Sequence, residues 1–252
     1  MRPIYTILCA AIVGMMPMSA MAADAPKSIP DTERAKIEEV VRDFLTKKEP
    51  EVVMKAVQEI QRRQEEENSK KSQQALSTNK DKIFGDVSAP FVGNAKGDVV
   101  VVEFFDYQCG HCKKVNESIV KLISDDKNVK VIYKDFPILG AASTSAAKAA
   151  LAVAKQGKYE KFHDALLSKK DHISDELINQ TAKEVGADVA KMQKDMADPS
   201  IEKALQANLD LGAEIGVRGT PMFIIGAKLY PGAMTVEQMK EAVAEARKAV
   251  KK

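Results

Sequence analysis

Tryptophan is absent from this chain and aromatic residues make up only 5% of it, so any core must be built from aliphatic residues and methionine. An excess of one charge sign is also missing. With 38 Lys and Arg against 36 Asp and Glu, the sequence offers no electrostatic support for nucleic-acid binding. Long apolar runs are confined to the start of the chain. Residues 4–16 form one, with the single positive charge of Arg2 before it and Pro17, Ser19 and the small-x-small tripeptide Ala20-Met21-Ala22 after it. Its parts stand in the order of a secretory signal peptide, and its apolar core is too short to cross a bilayer as a helix, so cleavage after Ala22 is expected. A retained membrane anchor is the competing reading. Nothing after Ala22 resembles a second span.

Cysteine is scarce as well, with three in the chain. Cys9 lies inside the signal and would leave with it, so Cys109 and Cys112 are all that a mature chain of roughly 230 residues would carry. Lys and Arg would fall from 38 to 37 against 36 acids, a net charge of +1. An isolated pair two residues apart, in a protein sent to an oxidising compartment, is either a disulfide that cycles or part of a metal site.

Along the chain, Pro30-Asp31 opens a helix with Ile37, Val40, Val41, Phe44 and Leu45 on one face. A second helix starts at Pro50, with Val53, Ala56, Val57 and Ile60 on its face. Residues 61–74 then lose their aliphatic side chains and carry opposite-sign i, i+4 pairs such as Arg62/Glu66 and Glu67/Lys71. A helix polar all round reads as a solvated rod or linker, about 20 Å long if fully helical. The two small helices before it are too short to make a core of their own. They pack either on the main domain or on the same segment of another chain, and the intervening polar stretch favours an oligomerisation module. The expected division is a signal peptide over 1–22, a helical oligomerisation segment over 23–60, a polar helical linker over 61–82 and a main domain over 83–252, with a helical insertion at about 138–215.

In the main domain, residues 99–105 form a β-branched and aromatic run whose one polar member is Glu103, the mark of a strand buried on both faces. It leads through Asp106-Tyr107-Gln108 into Cys109-Gly110-His111-Cys112, after which Cys112, Val115, Ile119 and Leu122 keep helical spacing. Residues 129–135 read as a second strand, so strand, helix and strand make a parallel unit. Helical stretches follow at 141–154, around Tyr159/Phe162/Leu166, and after Ser174 and Asp198-Pro199. Strand character returns at 222–225, a Gly226-Ala227 turn leads to Lys228-Leu229-Tyr230, and the capping box Thr235-x-x-Gln238 opens a last helix along Met239, Val243 and Val250.

At the junction of a strand and a helix, Cys109 would sit where unpaired N–H groups and the helix dipole favour a thiolate. His111 adds a donor, or a positive charge when protonated. A lowered pKa makes Cys109 the attacking sulfur and a good leaving group, and makes the disulfide more oxidising; Cys112, one turn further in, would resolve. An inert disulfide is disfavoured because so short a loop constrains the unfolded chain little. A zinc site would need His111 together with His163 or His172, both expected on helix surfaces, and haem attachment would need His where Lys113 stands. Glu103 interrupts an otherwise apolar strand six residues before Cys109. It is either a buried acid that exchanges a proton with Cys112 or an edge residue facing solvent or paired with Lys134. Thr220-Pro221 precedes the third strand, where a proline is allowed.

Together, residues 101–105, the Cys109–Cys112 motif, the helical block and Gly219-Thr220-Pro221 resemble the DsbA-like family of periplasmic disulfide oxidoreductases over roughly residues 84–252. The resemblance implies an α/β thioredoxin fold with an inserted helical domain, Cys109 as nucleophile, Cys112 as resolving cysteine, Glu103 as the buried acid and Pro221 as a cis-proline. It also implies a periplasmic location, unfolded or misfolded exported proteins as substrates, and a membrane redox protein as recycling partner. No cofactor beyond the Cys109/Cys112 disulfide is expected. The Gly-His dipeptide is similar to that of protein disulfide isomerase, and Thr220 resembles the bacterial isomerases. With its extra N-terminal helices the chain is similar to oligomeric members such as the suppressor-of-copper-sensitivity protein C, a homodimer or homotrimer being expected. Disulfide isomerisation thus stands beside oxidation. The alternatives are a periplasmic protein that binds copper or another thiophilic metal through the same sulfurs, and a surface scaffold built on the N-terminal helices.

Overall fold

The computed structural model describes residues 30–250; the signal-peptide reading of residues 1–22, with Cys9, lies outside them. The described residues divide into two compact units, 30–61 and 62–250.

In the first unit, α1 (Asp31–Asp43) carries Asp31 and Glu33 in its first turn and Arg42 in its last, charges that complement the helix dipole. It runs into a π-helical turn at Phe44–Lys48, where the Thr46 hydroxyl donates to the Arg42 carbonyl at 2.8 Å. After Pro50, α2 (Glu51–Thr78) begins. No residue of α1 is buried. The apolar positions expected to share a face are exposed, Val40 and Ile60 each at 67%.

In the second unit α2 continues through the polar stretch as regular helix, with Arg62 paired to Glu66 and Gln64 bonded to Asn68. Leu76 at the end of α2 is already buried. Ala75 and Leu76 are the first apolar pair after the charged run, and they join Ile83 of α3 (Lys80–Phe84) in one core.

The remaining elements are β1 (Phe91–Gly93), β2 (Val99–Phe105), α4 (Gly110–Asp125), β3 (Val129–Asp135), α5 (Ala141–Ala154), α6 (Tyr159–Ser168), α7 (Asp175–Glu184), α8 (Val189–Met196), α9 (Pro199–Ile215), β4 (Met222–Ile225), β5 (Lys228–Pro231) and α10 (Val236–Val250). The strands form one mixed sheet in the order β1-β3-β2-β4-β5, in which β2 and β3 are parallel and the other pairs antiparallel. This is a thioredoxin-like fold, with α5 to α9 inserted between β3 and β4.

Strand alternation sorts the side chains onto two faces. Val99, Val101, Phe105, Val131, Tyr133 and Phe223 meet α4, α10 and the inserted helices. Val102, Phe104, Ile132 and Ile224 meet α2, α3 and the end of α9. Helix starts follow the sequence signals. Ser174, Asp188 and Asp198 accept backbone N–H groups as N-caps, and Thr235 and Gln238 cap α10 reciprocally at 2.9 and 3.2 Å.

Gly212 of α9 is glycine because the Phe136 ring occupies the space a Cβ would need. Gly212→Ala is therefore expected to lower the unfolding free energy by about 1–3 kcal/mol in a denaturant melt.

Candidate active site

β2 ends at Phe105, and Cys109 is the N-cap of α4 in an extended conformation (φ −72°, ψ 114°). This places its sulfur where the first N–H groups of the helix lack intrahelical partners. Both cysteines are free thiols; Cys109 is 7% exposed and Cys112 1%. A Cβ added at Gly110 or Gly219 would meet nothing within 4 Å, so the backbone on either side of the pair faces open space.

The two thiols are pushed in opposite directions. The Cys112 thiol acts most strongly on Cys109, burial works against it, and the Thr220 side chain and the N–H groups of Cys112 and His111 assist; the balance brings Cys109 down to about 5. Its Sγ also lies 3.2 Å from the Thr220 carbonyl, a contact that suits the S–H form and is outweighed by those donors. Burial first, then the hydrogen bond to Cys109 and, in its ionised form, Glu103 push Cys112 far above the ordinary thiol range. At neutral pH the first sulfur is an anion and the second a thiol.

Glu103 is buried, and burial together with the Cys109 charge pushes its carboxyl up to about 8. The register explains why it does not pair with Lys134. Glu103 stands opposite Tyr133 on the α4 face, whereas Lys134 points to the other face and bonds Asp86 at 2.5 Å. Burial works to raise the Asp86 carboxyl, but the hydrogen bonds of Lys134 and Ser88 and the charge of Lys134 hold it below its usual range. The Thr220-Pro221 peptide is cis, and Pro221 is buried with its carbonyl accepting Gly232 N–H at 2.9 Å. Cys109, Cys112, Glu103, Thr220 and Pro221 thus gather at one end of the sheet, with the His111 ring exposed.

Two histidine expectations are corrected. His163 lies on the buried face of α6, boxed by Phe105, Tyr107, Tyr133 and Tyr159, and its Nδ1 shares a 3.1 Å hydrogen bond with the Tyr107 hydroxyl. Burial pushes its imidazole down to about 3, so it is neutral at pH 7. His172 is exposed in the loop before Ser174 rather than on a helix. Among the described residues no cluster of three or more His, Cys, Asp or Glu is placed to hold a metal ion.

Sequence reasoning passed over Asp106, which is buried and accepts four hydrogen bonds through its carboxylate. It also passed over Lys113, whose ammonium donates to the Lys169 carbonyl at 2.7 Å and so ties α4 to the end of α6. An acidic residue directly after an apolar strand was the available signal for Asp106.

A cysteine pair opening the helix after the central strand, facing a cis-proline, defines a thioredoxin-fold thiol site. The DSBA-like thioredoxin domain family matches residues 100–244, and the chain belongs to that family. Among solved structures it is similar to the thiol-disulfide exchange protein α-DsbA2 of Wolbachia pipientis, with 40% identity, 69% of this chain and 95% of that one covered, and a TM-score of 0.65. It is also similar to Proteus mirabilis ScsC in a compact conformation, with 30% identity, 86% and 100% covered, and a TM-score of 0.66. A curated relative, the Na(+)/H(+) antiporter NhaA 3 of Salinispora tropica, is 26% identical over 156 residues, and the match spans 24% of its length.

Proposed function

We propose that this protein is a periplasmic thiol-disulfide oxidoreductase that forms or rearranges disulfides in exported proteins through Cys109 and Cys112. The observation that carries this reading is the placement of the two thiols: Cys109 at the N-cap of α4, 3.2 Å from the carbonyl before the cis-proline Pro221, with Cys112 buried one turn further in.

In the oxidising direction a client thiolate attacks Sγ of Cys109 in the Cys109–Cys112 disulfide, and the S–S electron pair leaves on Cys112. That sulfur is buried and holds a proton tightly, so it takes one from the Glu103 carboxyl, which regains it from water. A second client thiolate then attacks the client sulfur of the mixed disulfide and expels Cys109, a good leaving group because its thiolate is stabilised. The client loses two electrons and the cysteine pair gains them. A membrane redox protein would take them back. Rearrangement runs through the same mixed disulfide, entered by attack of the Cys109 thiolate on a wrong client disulfide. Thr220 and Pro221 line the approach to Cys109, and His111 supplies an N–H to its thiolate.

Turnover of reduced and of scrambled ribonuclease tests the reading. Activity on either supports it; tight stoichiometric Cu(I) binding with no turnover on both would favour the metal-handling alternative.

The N-terminal helices are part of the same proposal. Their exposed apolar residues, Val40 and Ile60 among them, suit packing against the same segment of a second or third copy. Sedimentation of the full chain is expected to give two or three times the single-chain mass, and Val40→Glu with Ile60→Glu to return it to one. A wild-type protein of single-chain mass at micromolar concentration would end this part of the proposal.

A further inference from the structure

Asp106 has no part in the exchange steps above, yet it is among the most heavily bonded side chains near them. One carboxylate oxygen accepts the Gln108 N–H at 2.8 Å and the Ser143 hydroxyl at 2.7 Å. The other accepts the N–H groups of Ile138 at 2.9 Å and Leu139 at 3.0 Å. Its backbone carbonyl accepts the Cys109 N–H at 3.0 Å. The Gln108 amide closes the arrangement, donating to the Leu139 carbonyl at 3.1 Å and the Ser143 hydroxyl at 3.0 Å.

One buried side chain therefore joins the passage before Cys109, the turn after β3 and the first turn of α5. Burying a carboxylate is costly unless hydrogen bonds replace its water, and here four do. Asp106 belongs to neither flanking element, since β2 ends at Phe105 and α4 begins at Gly110. What it fixes is the short passage between them. That passage decides whether the Cys109 sulfur meets the N–H groups of His111 and Cys112.

We propose that Asp106 is a positioning residue: through Gln108, Ser143, Ile138 and Leu139 its carboxylate holds Cys109 at the N-cap of α4, in register with the N–H groups that stabilise its thiolate. This rests on the thiol-exchange reading. The charge of Asp106 works in the opposite sense, because an anion repels a neighbouring thiolate. The sign of the effect therefore separates positioning from electrostatics. In Asp106→Asn, whichever way the amide turns, its NH2 faces a backbone N–H, that of Gln108 on one side or those of Ile138 and Leu139 on the other, and the passage loosens.

The test is the pH profile of iodoacetamide alkylation of Cys109 in the reduced full-length protein. For Asp106→Asn the midpoint is expected to rise by about one pH unit, with alkylation at pH 4 about tenfold slower. The cysteine pair should become less oxidising by about 30 mV, the equivalent of a tenfold change. A midpoint unchanged or lowered, in a variant with wild-type circular dichroism, overturns the inference; a purely structural role would lower the melting temperature and leave the profile in place. If Asp106→Asn does not fold, Ser143→Ala removes one of the four donors and should slow alkylation at pH 4 by about twofold, and an unchanged rate overturns the inference equally. A wild-type midpoint at the free-thiol value would bring down the exchange reading and this inference together, whereas a low wild-type midpoint with no shift in the variants overturns this inference alone.

Discussion

Cys109→Ser is expected to abolish thiol exchange, lowering the rate of disulfide formation or reshuffling on the order of a thousandfold or more. A hydroxyl at this position cannot form the mixed disulfide, and Cys112 cannot take its place, being 1% exposed with its thiol pushed far up by burial and by Glu103. Cys112→Ser should behave differently. It leaves the reactive sulfur intact and removes the resolving one, so covalent complexes with client proteins should accumulate. Non-reducing gels after incubation with a client carrying scrambled disulfides read both outcomes: the Cys109 thiolate attacks a client disulfide, the client's other sulfur leaves, and the mixed disulfide persists where no Cys112 can resolve it. Exchange surviving in Cys109→Ser, or accumulation of complexes in that variant, would place the chemistry elsewhere.

Glu103→Gln should slow the steps in which Cys112 gains or loses a proton by roughly a hundredfold, and it should also stabilise the reduced protein at higher pH. The sign follows from the two states. Unfolded, the carboxyl titrates near 4.5; folded, burial and then the Cys109 charge carry it to about 8. Between those values the folded chain keeps a proton that the unfolded chain has lost, so wild-type stability falls as pH rises from about 4.5 to about 8. The substitution removes that contribution, leaving melts at pH 4 alike and the variant more stable at pH 8 by on the order of a few kcal/mol. Part of the slope should survive, because Asp135 on the same sheet face is likewise raised by burial to about 8. A variant with full activity and an unaltered slope would show that Glu103 carries neither role.

The central strands were legible in the sequence because short stretches rich in β-branched and aromatic residues mark them, and residues 99–105 and 129–135 are strands with those limits. β1 was not legible. Three residues, Phe91–Gly93, are too few to show a period, and they lie at a sheet edge with a single neighbour, β3. At the site, the cysteines announced themselves by their spacing after a strand, whereas Asp106 draws its importance from Ile138, Leu139 and Ser143, which only folding brings near. His163 was misread by its residue type alone. It stands four residues after Tyr159 and beside Phe162, on the buried stripe of α6, so the helical spacing placed it inside. The fate of Lys134 depended on strand register, which the sequence does not state. Once Glu103 stands opposite Tyr133, alternation sends Lys134 to the other face and to Asp86.

The exchange chemistry depends on the charge of one sulfur at neutral pH, and the rate of Cys109 alkylation in the reduced wild-type protein, followed from pH 3 to pH 10, measures it. The opposed thiols predict a half-maximal rate near pH 5. A half-maximal rate near pH ~8.5, the value for a free cysteine, would contradict it.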